Sequence, residues 1–425
     1  MFACAVGLLL FGCDKAPDSA APAAPSSASQ PVATPEPVPT SHETITALAF
    51  DAGGTLYFGD SGTGKLHSVK PPAKDNPMAQ APYNLKNLDG KLAAALGTTP
   101  EYVRIRDMAV HPTTKEAYVA VGRATSDSYG SAILIVDQSG GVRMLDLSSD
   151  VAEVQIPFAP ADEFDFYDEV PGRDLTFTDL EVYKGKVYVA GLSNADFAST
   201  LWSVPSSFEG QVQATKTEIY HAVHNQNETR APIRSMKVVT FEGADYMIAA
   251  YTCTPLVAFP LNALRDGEKV TGKTIGELGY GNTPGDIVTF AVRDMQGKKS
   301  DVLFVQHKNQ SAQVIGLAAI EAAVKKPGLS KPAAPGETVA LGAASVPMTQ
   351  LLQVDELGDQ FLVAMRRDVE QGDLELVSFL KSAYFRLSDF QSEYEIPGYE
   401  YGEGQQMIKQ FQDQMKASEG FGNPG

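Results

Sequence analysis

A single strand pattern recurs six times along this chain, and it constrains the fold more than any other feature. Its first half is a six-residue strand with apolar residues in columns one and four: Ile45–Phe50, Ile105–Val110, Phe177–Val182, Ile233–Val238, Ile287–Val292 and, less cleanly, Met348–Gln353. A tight polar turn follows, such as Asp51–Gly54, Lys184–Gly185 or Glu242–Gly243. The second strand is more apolar and closes on a small residue in most copies: Leu56–Gly59, Ala117–Ala120, Val187–Ala190, Tyr246–Ala249, Val302–Val305 and Phe361–Ala364. A third strand follows in most modules, for instance Ile133–Val136, Leu201–Val204, Leu256–Phe259, Val314–Leu317 and Leu374–Val377. A sheet of three or four such strands is too small to stand alone. Radial stacking buries both of its faces and explains second strands that are apolar all round. The pattern therefore predicts an all-β chain, a six-bladed β-propeller, with room for a degenerate seventh blade in residues 384–402 or after Asp150. A pair of β-sandwiches is the competing architecture. It gives no reason for one strand column to return at a fixed place in every module.

Within this framework the phrase Leu48-Ala-Phe-Asp-Ala-Gly-Gly-Thr-Leu-Tyr57 resembles the six-bladed calcium-dependent lactonase and NHL-repeat propellers. The resemblance spans most of residues 44–383 at the level of pattern, with no diagnostic catalytic motif. It implies a divalent cation, calcium, in the central channel and a lactonase or hydrolase activity in which the metal polarises a carbonyl. Asp179, Glu181 and Asn194 are the possible oxygen ligands, although Glu181 is expected to alternate away from the channel.

The N-terminus speaks to compartment. Val6–Phe11 is an apolar run too short to span a bilayer, and it ends in Leu10-Phe11-Gly12-Cys13. This resembles a bacterial lipobox, which implies cleavage before Cys13 and acylation of its thiol. Residues 14–43 are rich in Ala, Pro and Ser and read as a disordered tether. Asp14 resembles an inner-membrane retention signal, so the expected address is the periplasmic face of that membrane. The organisation expected is a signal segment over 1–13, the tether over 14–43, the propeller over 44–390 and a tail over 391–425. In that tail Met407, Ile408, Phe411 and Met415 share one face of a short helix.

Of the three cysteines, Cys4, Cys13 and Cys253, the last is alone once the leader is gone, so no internal disulfide is expected. No CxxC, CxxCH or HExxH occurs, which argues against haem attachment and the common zinc frameworks. A net charge of −18 opposes nucleic-acid phosphates and anionic lipid surfaces. Expected partners are an envelope protein or a small anionic molecule.

In a four-stranded blade, the loop before the first strand and the loop between the second and third share one face of the disk. That geometry gathers Arg106, Asp107, Asp179, Arg234, Ser235, Asp286 and Gln350 from the first set. From the second it gathers Asp60, Arg123, Asn194, Cys253, His307, Lys308, Arg366 and Arg367. Arg106, Asp107, Asp179, Arg234, Cys253, His307 and Arg366 form the candidate ligand-binding set. The arginines suit an anion through their bidentate fork, or else bridge Asp107 and Asp179 across the channel. A Cys253 thiol beside Arg366 or His307 would be acidified. The insertion 148–176 carries Asp162, Glu163, Asp165, Asp168, Glu169 and Asp174, a density of carboxylates that suits calcium but lacks EF-hand spacing. His221 and His224 lack a third metal ligand nearby. With no complete catalytic constellation, the sequence favours a binding or scaffolding module over an enzyme.

Overall fold

In the computed structural model the recurrent strands open six sheets, the six blades of a β-propeller, antiparallel except where Lys269–Thr271 pairs in parallel with the outer strand of the third. The structure describes residues 44–421 apart from 73–74, 125–128, 165–170, 280, 294–296, 335–337, 340, 369–370, 390–396, 399 and 401. The innermost strand is Ile45–Phe50 in blade A, Val103–Val110 in B and Asp179–Tyr183 in C. In blades D, E and F it is Ile233–Phe241, Pro284–Arg293 and Leu351–Leu357. Each sheet has at least four strands, and the ring closes with six blades and no seventh among the described residues.

Six apolar cores lie between neighbouring blades rather than within them. Ile45, Leu48 and Phe58 of blade A meet Tyr118 and Ile133 of B, while Ala47, Tyr57 and Leu66 on A's other face meet Phe177 and Trp202 of C. Both faces of the second strand are thus buried, which is why it carries no polar alternation. Full burial of a side chain such as Phe58 contributes about 1.5–3 kcal/mol. The small closing residue also has a packing reason: a Cβ on Gly59 would lie 2.5 Å from the Phe177 ring.

Chain order and ring order differ. The innermost strands pack in the sequence B, A, C, D, E, F and back to B, so the chain builds A first, steps backwards to B, then passes A to reach C. Two outer strands are exchanged on the way. After the first three strands of A, Asn84–Leu85 pairs with the outer edge of blade F (Leu376↔Leu85, Val377↔Asn84). Helix α1 (Leu88–Ala95) leads on to blade B, after which Ala152–Gln155 returns to complete A. Each exchange covers a sheet edge that would otherwise present unpaired backbone.

Tyr83 fastens this closure. Its backbone and the Ser378 of blade F exchange two hydrogen bonds at 2.9 Å. Its buried hydroxyl accepts the Ala117 N–H at 3.0 Å and lies 2.9 Å from the Lys115 and Val136 carbonyls of blade B, one of which takes its proton.

Blades E and F correct the strand alignment. Their innermost strands begin at Pro284 and Leu351, three residues before and three after the expected starts at Ile287 and Met348. Gln350 consequently precedes its strand, exposed and in the left-handed region (φ 56°), rather than facing the channel. In blade E the third strand stops at Gly316, and Leu317 opens helix α2 (Leu317–Val324).

The tail forms helix α3 (Gln405–Ser418) as expected, but only part of its stripe is used. Met415 is buried, whereas Met407 and Phe411 are exposed. The reason is that the helix is held at its C-terminal end, where the Glu419 carboxylate accepts the Leu387 and Ser388 N–H groups. Among the described residues no helix is long and apolar enough to cross a membrane. Cys13, Asp14 and the tether lie outside the described residues.

Candidate functional site

The innermost strand of every blade is a sheet edge facing the central channel, so its channel-side N–H groups have no ladder partner. A bulge at its second column in blades A, B, D and F, and just before Ile287 in E, turns the third column into the channel. In ring order that column reads Asp107, Ala47, Asp179, Ser235, Asp286 and Gln353. Aspartates therefore alternate with uncharged residues around the ring.

Each aspartate reaches the next blade. Asp107 Oδ2 accepts the Leu48 N–H at 2.6 Å, Asp179 Oδ2 that of Met236 at 2.6 Å, and Asp286 Oδ2 that of Val354 at 2.5 Å. One layer deeper Glu181 accepts Val238 N–H at 3.3 Å and Asp355 accepts Val110 N–H at 2.7 Å. All five bonds run in the same sense around the ring. The other oxygens of Asp107, Asp179 and Asp355 take the N–H of the following residue at 2.7–2.8 Å. These carboxylates thus supply the acceptors that the edge strands lack.

Burial decides their charge. It outweighs the N–H bonds and pushes Asp179 up to about 7 and Asp355 up to about 6. Asp107 and Asp286 are held well above the usual carboxylate range by burial and then by the neighbouring aspartate charges. Two cations act on them: Lys237 favours the charged forms of Asp179 and Asp355, and Arg234 has its pKa lowered by burial while the charges of Asp286 and Asp179 oppose that. The Arg234 Nε has no hydrogen-bond partner. Arg106 pairs instead with Asp174 at 3.0 Å, which ties the insertion 148–176 to this end of the channel.

Beyond the aspartate ring lies a cavity of about 430 Å³. It runs past Glu181, Lys237 and Asp355 to Asp51, Ala52, Pro112, Lys115, Gly358 and Asp359, residues of the turns between first and second strands. That is the face opposite the one where loop geometry placed the mouth. Its charged lining is Asp51, Asp107, Asp179, Glu181, Asp286, Asp355, Glu356 and Asp359 against Lys115 and Lys237.

The remaining candidates disperse. Arg366 makes a bidentate pair with Asp389 (2.6 and 2.7 Å), bonds the buried Glu375 and covers the Phe379 ring. His307 is fully buried at the end of its strand, and burial lowers it to about 4. Cys253 occupies a turn in the left-handed region (φ 66°), where burial and the charges of Glu228 and Glu277 raise its pKa. Neither Arg366 nor His307 is its neighbour in charge, so the expected acidification is reversed. Asp60 is buried and accepts the Thr44 and Gly62 N–H groups, and Lys308 is exposed. In the acidic insertion Glu163 pairs with Arg173 at 3.0 Å, while Asp165, Asp168 and Glu169 lie outside the described residues.

Two contributors, Asp355 and Glu228, have no place in the sequence reading, and a third, Glu181, faces the other way from its expectation. Glu181 does face the channel, because it stands two residues from Asp179 in one strand and so shares its face. Asp355 was hidden by the misplaced start of blade F. Glu228 was missed because a hairpin, Gln226–Glu228 folding onto Gln213–His221, brings it back to His221 and His224.

No protein-family model and no curated protein matches the chain. Solved structures similar to it include the PQQ-bound aldose sugar dehydrogenase of Streptomyces coelicolor, 10% identical over 81% of this chain and 96% of that one, TM-score 0.31. A putative 6-phosphogluconolactonase of Bacteroides fragilis is 11% identical over 81% and 80%, TM-score 0.27. Extracellular domains 1–2 of Drosophila semaphorin 1a are 11% identical over 81% and 88%, TM-score 0.31. At such identities and scores the likeness concerns strand architecture and carries no function across.

Proposed function

We propose that this chain is a binding propeller, tethered through Cys13 at the periplasmic face of a bacterial membrane, whose channel receives a cationic group. The group belongs to a small molecule or to a side chain of an envelope protein. The carrying observation is the cavity of about 430 Å³, with eight carboxyl side chains against two lysines in its lining. With Asp107 and Asp286 holding their protons and Asp179 sharing one near neutral pH, Asp51, Glu181, Asp355, Glu356 and Asp359 still outnumber Lys115 and Lys237, a lining that favours a cation over the anion that the arginines suggested. Arg234 and the Arg106–Asp174 pair stand at the opposite end, beyond the aspartate ring.

Binding is favoured over metal-dependent hydrolysis by the state of the candidate ligands. Both oxygens of Asp179 accept backbone N–H groups, and Glu181 is paired with Lys237 at 3.0 Å. Those bonds would have to break before either side chain could hold calcium.

Spermidine and citrate are suitable opposite probes in a thermal melt. Spermidine is expected to raise the midpoint in a salt-sensitive manner, since a ligand at a hundred times its Kd adds about 2.7 kcal/mol. Asp359→Lys, which reverses an exposed charge at the cavity mouth, should weaken that binding a few-fold. Stabilisation by citrate and not by spermidine would refute the cationic reading. For the tether, Cys13→Ala is expected to move the protein from the membrane to the soluble fraction of a bacterial host, and unchanged partitioning would refute acylation there.

A further inference from the structure

On the outer strand of blade C, away from the channel, three donor groups converge. His221 ends the strand Gln213–His221 and is fully buried, His224 lies in the following turn, and Glu228 ends the hairpin strand that folds back. Glu228 Oε1 stands 3.1 Å from His221 Nδ1 and 2.6 Å from His224 Nδ1. Gln226 Nε2 approaches the same oxygen at 3.3 Å. One carboxylate oxygen offers about two lone pairs, so three donors oversubscribe it. The two imidazole rings are only 3.9 Å apart between centroids. Among the described residues this is the one group of histidine, cysteine and carboxylate ligands whose donor atoms all lie within 4.8 Å of one another.

Hydrogen bonding gathers these donor atoms somewhat more tightly than a bound ion would hold them. Bonds of about 2.0–2.1 Å to a tetrahedral centre put neighbouring ligand atoms roughly 3.3 Å apart. The geometry points to a divalent transition-metal site of the two-histidine, one-carboxylate kind, formed by His221, His224 and Glu228. Imidazole nitrogens select a zinc-class ion over calcium or magnesium, which prefer oxygen. The fold supports such a site in two ways. The strand and its hairpin hold His221 and Glu228 in register, and the buried Glu277 carboxylate anchors the backbone just after His221 by accepting the Ala222 N–H at 2.9 Å. His224 is partly exposed, so a fourth position on its side is open to water or a small ligand.

The test is equilibrium dialysis of the full chain against zinc, with metal analysis, in the presence of excess calcium and magnesium. One equivalent of zinc per chain is expected. Glu228→Gln and His224→Ala should each weaken it by at least the roughly 10–100-fold that loss of a mere outer-shell partner costs. His224 sits in an exposed turn, so His224→Ala is expected to melt like the parent without metal and keeps the result interpretable. Cys253→Ser should leave zinc affinity unchanged, because the thiol is outside the ligand group. Zinc held equally by parent, His224→Ala and Glu228→Gln would place it elsewhere and overturn the assignment. Failure to retain zinc, or displacement by calcium, would overturn it as well.

Discussion

Replacing Arg234 by methionine is expected to lower the stability of the propeller by about 1–3 kcal/mol near pH 8, and by far less near pH 5. The size follows from what remains: Asp107, Asp179 and Asp286 crowd one level of the channel, Arg234 faces Asp286 and Asp179, and after its loss only Lys237, which acts on Asp179 and is itself paired with Glu181, is left to offset them. Removing one partner of a buried charge group leaves the others uncompensated. The pH dependence follows from linkage. Unfolded aspartates titrate near 3.9, whereas Asp355 and Asp179 in the fold titrate at about 6 and about 7. Between those limits the folded chain binds more protons, so the contribution of these groups is greatest in acid and is lost as pH rises through about 6 and 7. At pH 5 the ring is largely neutral, and Arg234 has little left to offset. Urea melts of parent and variant at both pH values measure this. A penalty equal at the two would mean that the residue acts by packing alone.

Truncating Tyr83 to alanine is expected to cost a further about 3–5 kcal/mol, as for other fully buried aromatic side chains. Tyr83→Phe separates shape from hydrogen bonding: it keeps the ring but leaves the Ala117 N–H without its acceptor, for about 1–3 kcal/mol. Because Tyr83 joins the closing strand of blade F to blade B, both losses should appear as easier opening of the ring. Limited tryptic cleavage at the exposed Lys86, next to the closing segment, should speed up in the same order, alanine above phenylalanine above parent. Equal cleavage in all three would show that the seam is held by other contacts.

The repeat count was readable because each innermost strand must satisfy the same local demands. Columns one and four face apolar neighbours, and a period-two strand between two packed sheets has little freedom to vary. The site was readable in part for the same reason. Asp107 and Asp179 fall in the third column of their strands, and Asp286 enters the set as the residue just before the expected start of blade E. The alignment failed where its marks were weak. In blade F, Leu351-Leu-Gln-Val-Asp-Glu-Leu357 and the preceding Met348 both begin acceptable apolar columns, and choosing the wrong one exposed Gln350 and concealed Asp355.

Local periodicity determined that this chain makes six small sheets and that carboxylates crowd their inner edges, because a side chain's face within a strand depends only on its neighbours in sequence. Tertiary structure alone decided that blade B lies between A and F, that Asn84–Leu85 seals the ring, and that the acidic cavity runs to the turn face. It also brought Glu228 to the two histidines. Each of these depends on pairings between residues far apart in the chain, whose cost and reward are set by which edges remain open once the sheets have formed.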